Sequence, residues 1–218
     1  SNPPPVSEIL LPFSLVVAIL GAIVAAFVNA LFLVIYIAMS LLGVAYSYPR
    51  IRLKKHAVAG LITVGLGQGI LASLGGWVSG RPDLISLNLF DWLGILAVTL
   101  VTVGFYPITQ IYQIEEDRSR GDYTFAVRAG AKGTFVFSLF VQMMATFLLT
   151  SLIYYFMGLL EAILVAFFYI GLLIYTGYWG RNFRQADVMP NFRRVMAINT
   201  ITSVGFTLII GLHLFNLL

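Results

Sequence analysis

The stretch Ala30-Leu-Phe-Leu-Val-Ile-Tyr-Ile-Ala-Met-Ser-Leu-Leu-Gly-Val-Ala-Tyr-Ser47, followed at once by Tyr48-Pro49-Arg50-Ile51-Arg52-Leu53-Lys54-Lys55-His56, decides the fold class. The first part is uncharged and apolar nearly all round, so no side of it suits water. Its length approaches the roughly 20 residues that a helix needs to cross a hydrocarbon core about 30 Å thick. The second part places a proline and four cations where such a helix would reach the headgroups. Working outward, the same kind of run recurs at residues 9–27, 57–79, 90–112, 134–157, 160–178 and 195–214. None shows the short period-two alternation of a barrel strand. The expectation is an all-α, polytopic transmembrane helix bundle of seven spans, forming a single domain over residues 1–218.

Composition agrees. Of 218 residues, 60% are apolar and 10% charged, with a mean hydropathy of +0.94. A soluble domain carries about a quarter charged residues, and a disordered chain needs low hydrophobicity with high charge, so both classes are excluded. The absence of cysteine rules out disulfides, zinc ribbons, thiolate nucleophiles and iron–sulfur sites.

The net charge of +4 is no sign of a nucleic-acid partner, because the placement of the basic residues explains it. Threading seven spans from residue 1 puts all 13 Lys and Arg except Arg81 on the side that holds residue 1, in segments 48–56, 114–132 and 181–194. The positive-inside rule makes that side cytoplasmic. The chain start, Ser1-Asn2-Pro3-Pro4-Pro5-Val6-Ser7, reads as an extended segment leading into a helix near Ser7-Glu8. It has no charged n-region or cleavage site of a signal peptide. With Ser in place of Met at position 1, the chain is expected to begin partway through a longer protein.

Chemistry is sought among the polar residues, which are costly in a membrane. If the fourth helix continues past Tyr112, then Gln113, Glu116 and Asp117 fall at i, i+3 and i+4 on one face. Carboxylates and an amide oxygen are hard ligands of the kind Mg²⁺ takes, and Mg²⁺ binds through one or two carboxylates plus substrate phosphates. Arg118 and Arg120 stand beside them to meet phosphate oxygens, and Gly121-Asp122 turns the chain. The competing reading is a solvated loop of mixed charge. The cluster Arg50, Arg52, Lys54 and Lys55 either anchors to anionic lipid or supplies a phosphate site. Together the two segments suit a metal-bound diphosphate with its apolar tail in the bundle.

The run from Gln113 through Asp117, Gly121, Thr124 and Val127 to Gly130 resembles the second aspartate-rich motif of the UbiA-type intramembrane prenyltransferases, D-x-x-x-D-x-x-x-G-x-x-T-x-x-V-x-x-G. The stretch Tyr46-Ser-Tyr48-Pro49-Arg50-Ile-Arg52-Leu53-Lys54 is similar to that family's Y-S-x-P-x-x-R-L-K. There are two departures. Gln113 replaces the first Asp of the second motif, leaving Glu116 and Asp117 as the charged ligands, with Glu115 in reserve. The family's first motif, N-x-x-x-D-x-x-x-D, has no counterpart, so the chain resembles helices three to nine of a nine-helix fold, without its first two.

The resemblance implies transfer of an isoprenyl group from an isoprenyl diphosphate to a lipophilic, often aromatic acceptor, with Mg²⁺ as cofactor. It implies that Asp117, Glu116 and Gln113 serve the metal and catalysis. Diphosphate binding then falls to Arg52 and Lys54, with Arg50, Tyr48 and Arg118 beside them. A reading from another class is a noncatalytic UbiA-like structural subunit of a larger membrane complex, which Gln113 and the missing motif favour. A transporter is disfavoured because the titratable groups gather at one face, not at midplane.

Within the spans, Gln68, Gln142 and Asn199 are expected to hydrogen-bond between helices, with substrate contact as the alternative. Gly65 and Gly69 form a small-x-x-x-small pair suited to helix contact. Tyr106-Pro107 is expected to kink the fourth helix. Glu161 opens the sixth helix, where an acid suits the dipole, and His213 lies near the far end of the last.

Overall fold

A computed structural model describes residues 8–215, so the proline segment and the last three residues lie outside the described part. Seven helical stretches within it are long and apolar enough to cross a membrane. They are formed by α1 (Leu10–Val28), α2 (Ala30–Ser47), α3 and α4 (Ala57–Val64 and Ala72–Gly80) joined by a π-helical stretch at Gly65–Leu71, α5 (Leu89–Phe105), α7 (Phe125–Phe156), α8 (Leu159–Arg181) and α9 (Val188–Leu214). The short α6 (Ile114–Ser119) follows a 3₁₀ stretch, Tyr106–Gln113, that continues α5. Among the described residues there is no strand, only an isolated bridge between His56 and Tyr123.

Local chemistry marks the turns. Asn29 starts α2: its side-chain oxygen accepts from the Phe32 amide at 2.9 Å, while its Nδ2 donates to the Val78 carbonyl at 2.7 Å, pinning the α1–α2 turn to α4. Asn88 and Asp91 form a reciprocal capping box at the start of α5. Two spans begin earlier than hydropathy indicates, at Phe125 and Val188, because Arg128, Lys132, Arg193 and Arg194 sit on helix that hydropathy alone discounts.

The helix α7 runs along both α5 and α8, and it breaks once, at Gly130 (φ 66°, ψ 174°). Toward the basic end the core is built on Ile108, Ile111, Ile114, Phe135, Trp179 and Val195. Toward the other end it is built on Ala97, Leu149, Leu152, Val165 and Tyr169. Burying such side chains adds little against lipid tails that are equally apolar, so close packing and polar contacts hold these helices together. Gly69 shows the closeness: a Cβ there would lie 2.8 Å from the Thr99 Cα and 2.6 Å from its Oγ1. The Gly65–Gly69 pair is thus a helix contact, with Val103 facing Gly65.

At the end away from the basic loops, Glu161 and His213 meet, Nδ1 to Oε1 at 2.7 Å, tying α8 to α9. At the basic end Trp179 Nε1 donates to Asn191 Oδ1 at 3.0 Å, and Asn191 Nδ2 donates to the Arg184 carbonyl at 2.9 Å. This fixes the 182–187 turn under the bundle, where Gln185 reaches the Ile111 carbonyl at 3.4 Å.

Candidate functional site: a buried carboxylate at the mouth of a membrane cavity

Pro107 sits at the start of the 3₁₀ stretch, where its missing N–H costs least, and α geometry gives way to 3₁₀ at the place where sequence reading expects a kink. With about three residues per turn instead of 3.6, this stretch shifts the rotational register of α6 relative to α5. Gln113, at φ −105° and ψ 3°, is non-helical between the two segments. The three residues expected on one face are therefore parted. Asp117 turns inward and is buried, with 8% of its surface exposed. Glu116 turns out to the Arg120 guanidinium, and Gln113 donates from Nε2 to the Tyr112 hydroxyl at 2.7 Å. Arg118 is exposed and pairs with Glu115 at 3.0 Å.

Past α6, Gly121 takes the left-handed φ of 73° that a side chain would oppose, and the chain reverses. The Asp122 amide then donates to the Asp117 carbonyl at 2.9 Å. Thr124, in the N-cap position of α7, does not cap the helix; its hydroxyl donates to Asp117 Oδ2 at 3.1 Å. Asp122 is buried too, and its Oδ2 receives Arg52 Nη2 at 2.8 Å. Arg52 holds a left-handed backbone (φ 45°, ψ 57°), a conformation costing about 1 kcal/mol in a residue with a Cβ. Its amide donates to the Tyr48 carbonyl at 2.7 Å and its carbonyl accepts from the Lys55 amide at 3.0 Å. The parallel bridge between His56 and Tyr123 joins the same two segments through their backbones. Lys54 lies half-buried two residues on, while Tyr48 and Arg50 are exposed.

The bundle also holds a half-open cavity of about 690 Å³ lined from α2, α3, α5, α7, α8 and α9. Tyr46 and Tyr106 line it, their hydroxyls 3.0 Å apart. Tyr106 and Gln110 both belong to the 3₁₀ stretch that leads to α6. Gln110 is buried, its Oε1 accepting from the Ala126 amide at 3.4 Å. Of the amides inside the spans, Gln142 bridges helices as expected, with Nε2 on the Gly104 carbonyl at 3.2 Å. Gln68 and Asn199 make no such bridge among the described residues and line the cavity instead.

Sequence reading had Thr124 only as a motif position, without a role, and did not assign Asp122, Gln110 or Tyr106 to the site. For Asp122 the available signal was its position just after a turn glycine and five residues beyond Asp117. For Tyr106 and Gln110 it was a polar pair flanking Pro107 in an otherwise apolar run.

The residues at the mouth fit a divalent ion in part. Among the described residues no three Asp, Glu, His or Cys side chains converge into a cage. Yet Asp117 is a buried carboxylate whose Oδ2 meets the Thr124 hydroxyl, and a cation there would offset the cost of burying its charge. Mg²⁺ asks for no more than one or two protein carboxylates when phosphates complete its shell.

No curated protein matches the chain. The fold is similar to a solved structure of a digeranylgeranylglyceryl phosphate synthase, with a TM-score of 0.64 at 22% identity, covering 92% of this chain and 68% of that one. At that identity the likeness is one of fold. The profile of the UbiA prenyltransferase family matches residues 5–201, nearly the whole chain, and the protein belongs to that family of helical, multi-pass membrane proteins.

Proposed function

We propose that the protein transfers an isoprenyl group from an isoprenyl diphosphate to a lipophilic acceptor, with the diphosphate held at the basic end of the bundle and the isoprenyl chain in the cavity. The observation that carries this reading is the burial of Asp117 next to Asp122, which draws in Arg52 from the basic segment. Nothing about lipid solvation asks for two buried carboxylates at that place.

In this reading Mg²⁺ held on Asp117 would neutralise charge on the departing diphosphate as the allylic C–O bond breaks. Gln113, four positions before Asp117, and the adjacent Glu116 would complete the ion's shell from outside, Gln113 after leaving the Tyr112 hydroxyl and Glu116 after releasing Arg120. Arg52 and Lys54 bind diphosphate oxygens, with Arg50, Tyr48 and Arg118 at the rim. Asp122 positions Arg52, and Thr124 orients the Asp117 carboxylate. The apolar cavity keeps water from the allylic cation, and the Tyr46 and Tyr106 rings offer it π-faces. The positive-inside rule puts the site on the cytoplasmic side.

The second reading, a structural subunit of a larger membrane complex, draws on the outward turn of Glu116 and the pairing of Gln113 with Tyr112. Reconstitution separates the two. Protein in lipid nanodiscs, given geranylgeranyl diphosphate and Mg²⁺, should bind the diphosphate and release inorganic diphosphate when an acceptor is present. If no isoprenyl diphosphate of any chain length binds, the structural-subunit reading takes its place.

A further inference from the structure

The cavity wall carries hydrogen-bonding groups that an isoprenyl chain has no use for. Gln68 stands in the middle of the π-helical stretch Gly65–Leu71, and Asn199, Thr202 and Ser203 stand at i, i+3 and i+4 on one face of α9. All four line the same cavity, and among the described residues none of their side chains has a hydrogen-bond partner in the protein. Each lies inside a span, where water offers itself less readily than at a surface. Gln68, Asn199 and Ser203 are exposed and Thr202 is half-buried, so their polar atoms stand open to a molecule in the cavity.

The π stretch strengthens the point. Such stretches insert a residue into a helix, cost backbone regularity and occur often at functional sites. Here the insertion is made by the run Gly65-Leu66-Gly67-Gln68-Gly69, and it brings Gln68 to the cavity while Gly69 stays pressed against Thr99. An uninterrupted α-helix would face these residues differently. The cavity lining also has no Lys, Arg, His, Asp or Glu among the described residues. A charged group is thus served at the mouth and a neutral one inside.

From this we infer that Gln68 and Asn199, with Thr202 and Ser203, hold the acceptor, and that the acceptor is an uncharged lipophilic molecule whose hydroxyl or carbonyl oxygens these groups bind. A primary amide both donates and accepts, so it serves a hydroxyl or a carbonyl equally. It offers no full charge to a carboxylate or phosphate, which would stay at the basic face. The hydrocarbon chain of the donor has nothing to bond with them, which leaves the acceptor as their ligand. This inference rests on the prenyl-transfer reading for the acceptor's role and narrows it to a chemical class.

The test uses the protein in lipid nanodiscs, with and without geranylgeranyl diphosphate and Mg²⁺. Two neutral probes are titrated, 2-methyl-1,4-naphthoquinone for carbonyls and a 1-O-alkylglycerol for hydroxyls, against 4-hydroxybenzoate as the carboxylate. At least one neutral probe should bind more tightly than the carboxylate. Gln68→Leu and Asn199→Leu should each weaken it about five- to tenfold, the size of one lost hydrogen bond. Gln68→Asn should recover part of the loss, which distinguishes a lost contact from a damaged fold. The inference is overturned if the carboxylate binds best, if neither neutral probe binds, or if neutral binding ignores both leucine substitutions. Failure of the diphosphate itself to bind counts against prenyl transfer instead, and the neutral titrations without donor still decide the chemistry of the cavity.

Discussion

Arg52 and Asp122 stand 70 positions apart in sequence and meet at 2.8 Å, and their contact brings the two polar segments of the chain to one place. Asp122 is the more enclosed partner, with 8% of its side chain exposed against 32% for Arg52. Removing Arg52 leaves a buried carboxylate beside Asp117. Arg52→Ala should therefore destabilise the protein by about 2 kcal/mol, less than the loss for a wholly buried pair because water still reaches one side. The double variant Arg52→Ala/Asp122→Ala should cost clearly less than the two single changes together, measured as thermal unfolding in detergent. Additive losses would mean that the two side chains do not interact.

The close approach of α5 to the π stretch gives a second expectation. Gly69→Ala sets a methyl against the Thr99 Cα, which is backbone and cannot rotate away. It should cost about 1–3 kcal/mol by overpacking, and Thr99→Ala should not rescue it. Gly76→Ala, where a Cβ meets nothing within 4 Å, should leave unfolding unchanged or slightly raise its midpoint. Equal effects at the two glycines would contradict the packing.

The Glu161–His213 contact separates stability from binding. His213→Ala leaves Glu161, buried at the start of α8, without the ring that meets it at 2.7 Å. It should lower the unfolding midpoint and speed amide exchange near the end of α9. Isoprenyl diphosphate binding should stay as it is, because the pair lies at the end of the bundle away from Arg52 and Asp117. A large loss of diphosphate affinity would place His213 in the site.

Orientation is tested by chemistry at two exposed positions. Ser119 ends the acidic segment, and Ile85, with 97% of its surface exposed, lies in the loop that carries Arg81. Single cysteines at these positions should react with an impermeant reagent from opposite sides of the membrane, Ser119 from the cytoplasm. Labelling of both from one side would overturn the seven-span threading.

The spans were legible in the sequence because hydrophobicity over twenty residues is a local property that lipid reads directly. The 3₁₀ stretch was half legible. Pro107 announced a break, but the rotation it introduces, which sends Asp117 inward and Glu116 out, depends on how α5 and α7 hold both ends. The Arg52–Asp122 pair was not legible, since a contact over 70 positions is set by the packing of α3 against α7. The π stretch was hidden for a similar reason. Its glycines read as a helix contact, which they are, and nothing in their spacing says that one residue is added to the turn.

The central claim is that Asp117 is the anchor for a metal-bound diphosphate, and one measurement addresses it directly. Binding of geranylgeranyl diphosphate to the protein in nanodiscs is titrated with and without Mg²⁺, for the wild type and for Asp117→Asn, Glu116→Gln and Lys54→Ala. The wild type should bind only with Mg²⁺. Asp117→Asn should lose at least about tenfold in affinity, since water cannot replace a buried carboxylate as a ligand. Lys54→Ala should lose less, with Arg50 and Arg52 still present, and Glu116→Gln less than Asp117→Asn because Glu116 faces Arg120. Binding by Asp117→Asn as tight as wild type, with the same need for Mg²⁺, would contradict the account.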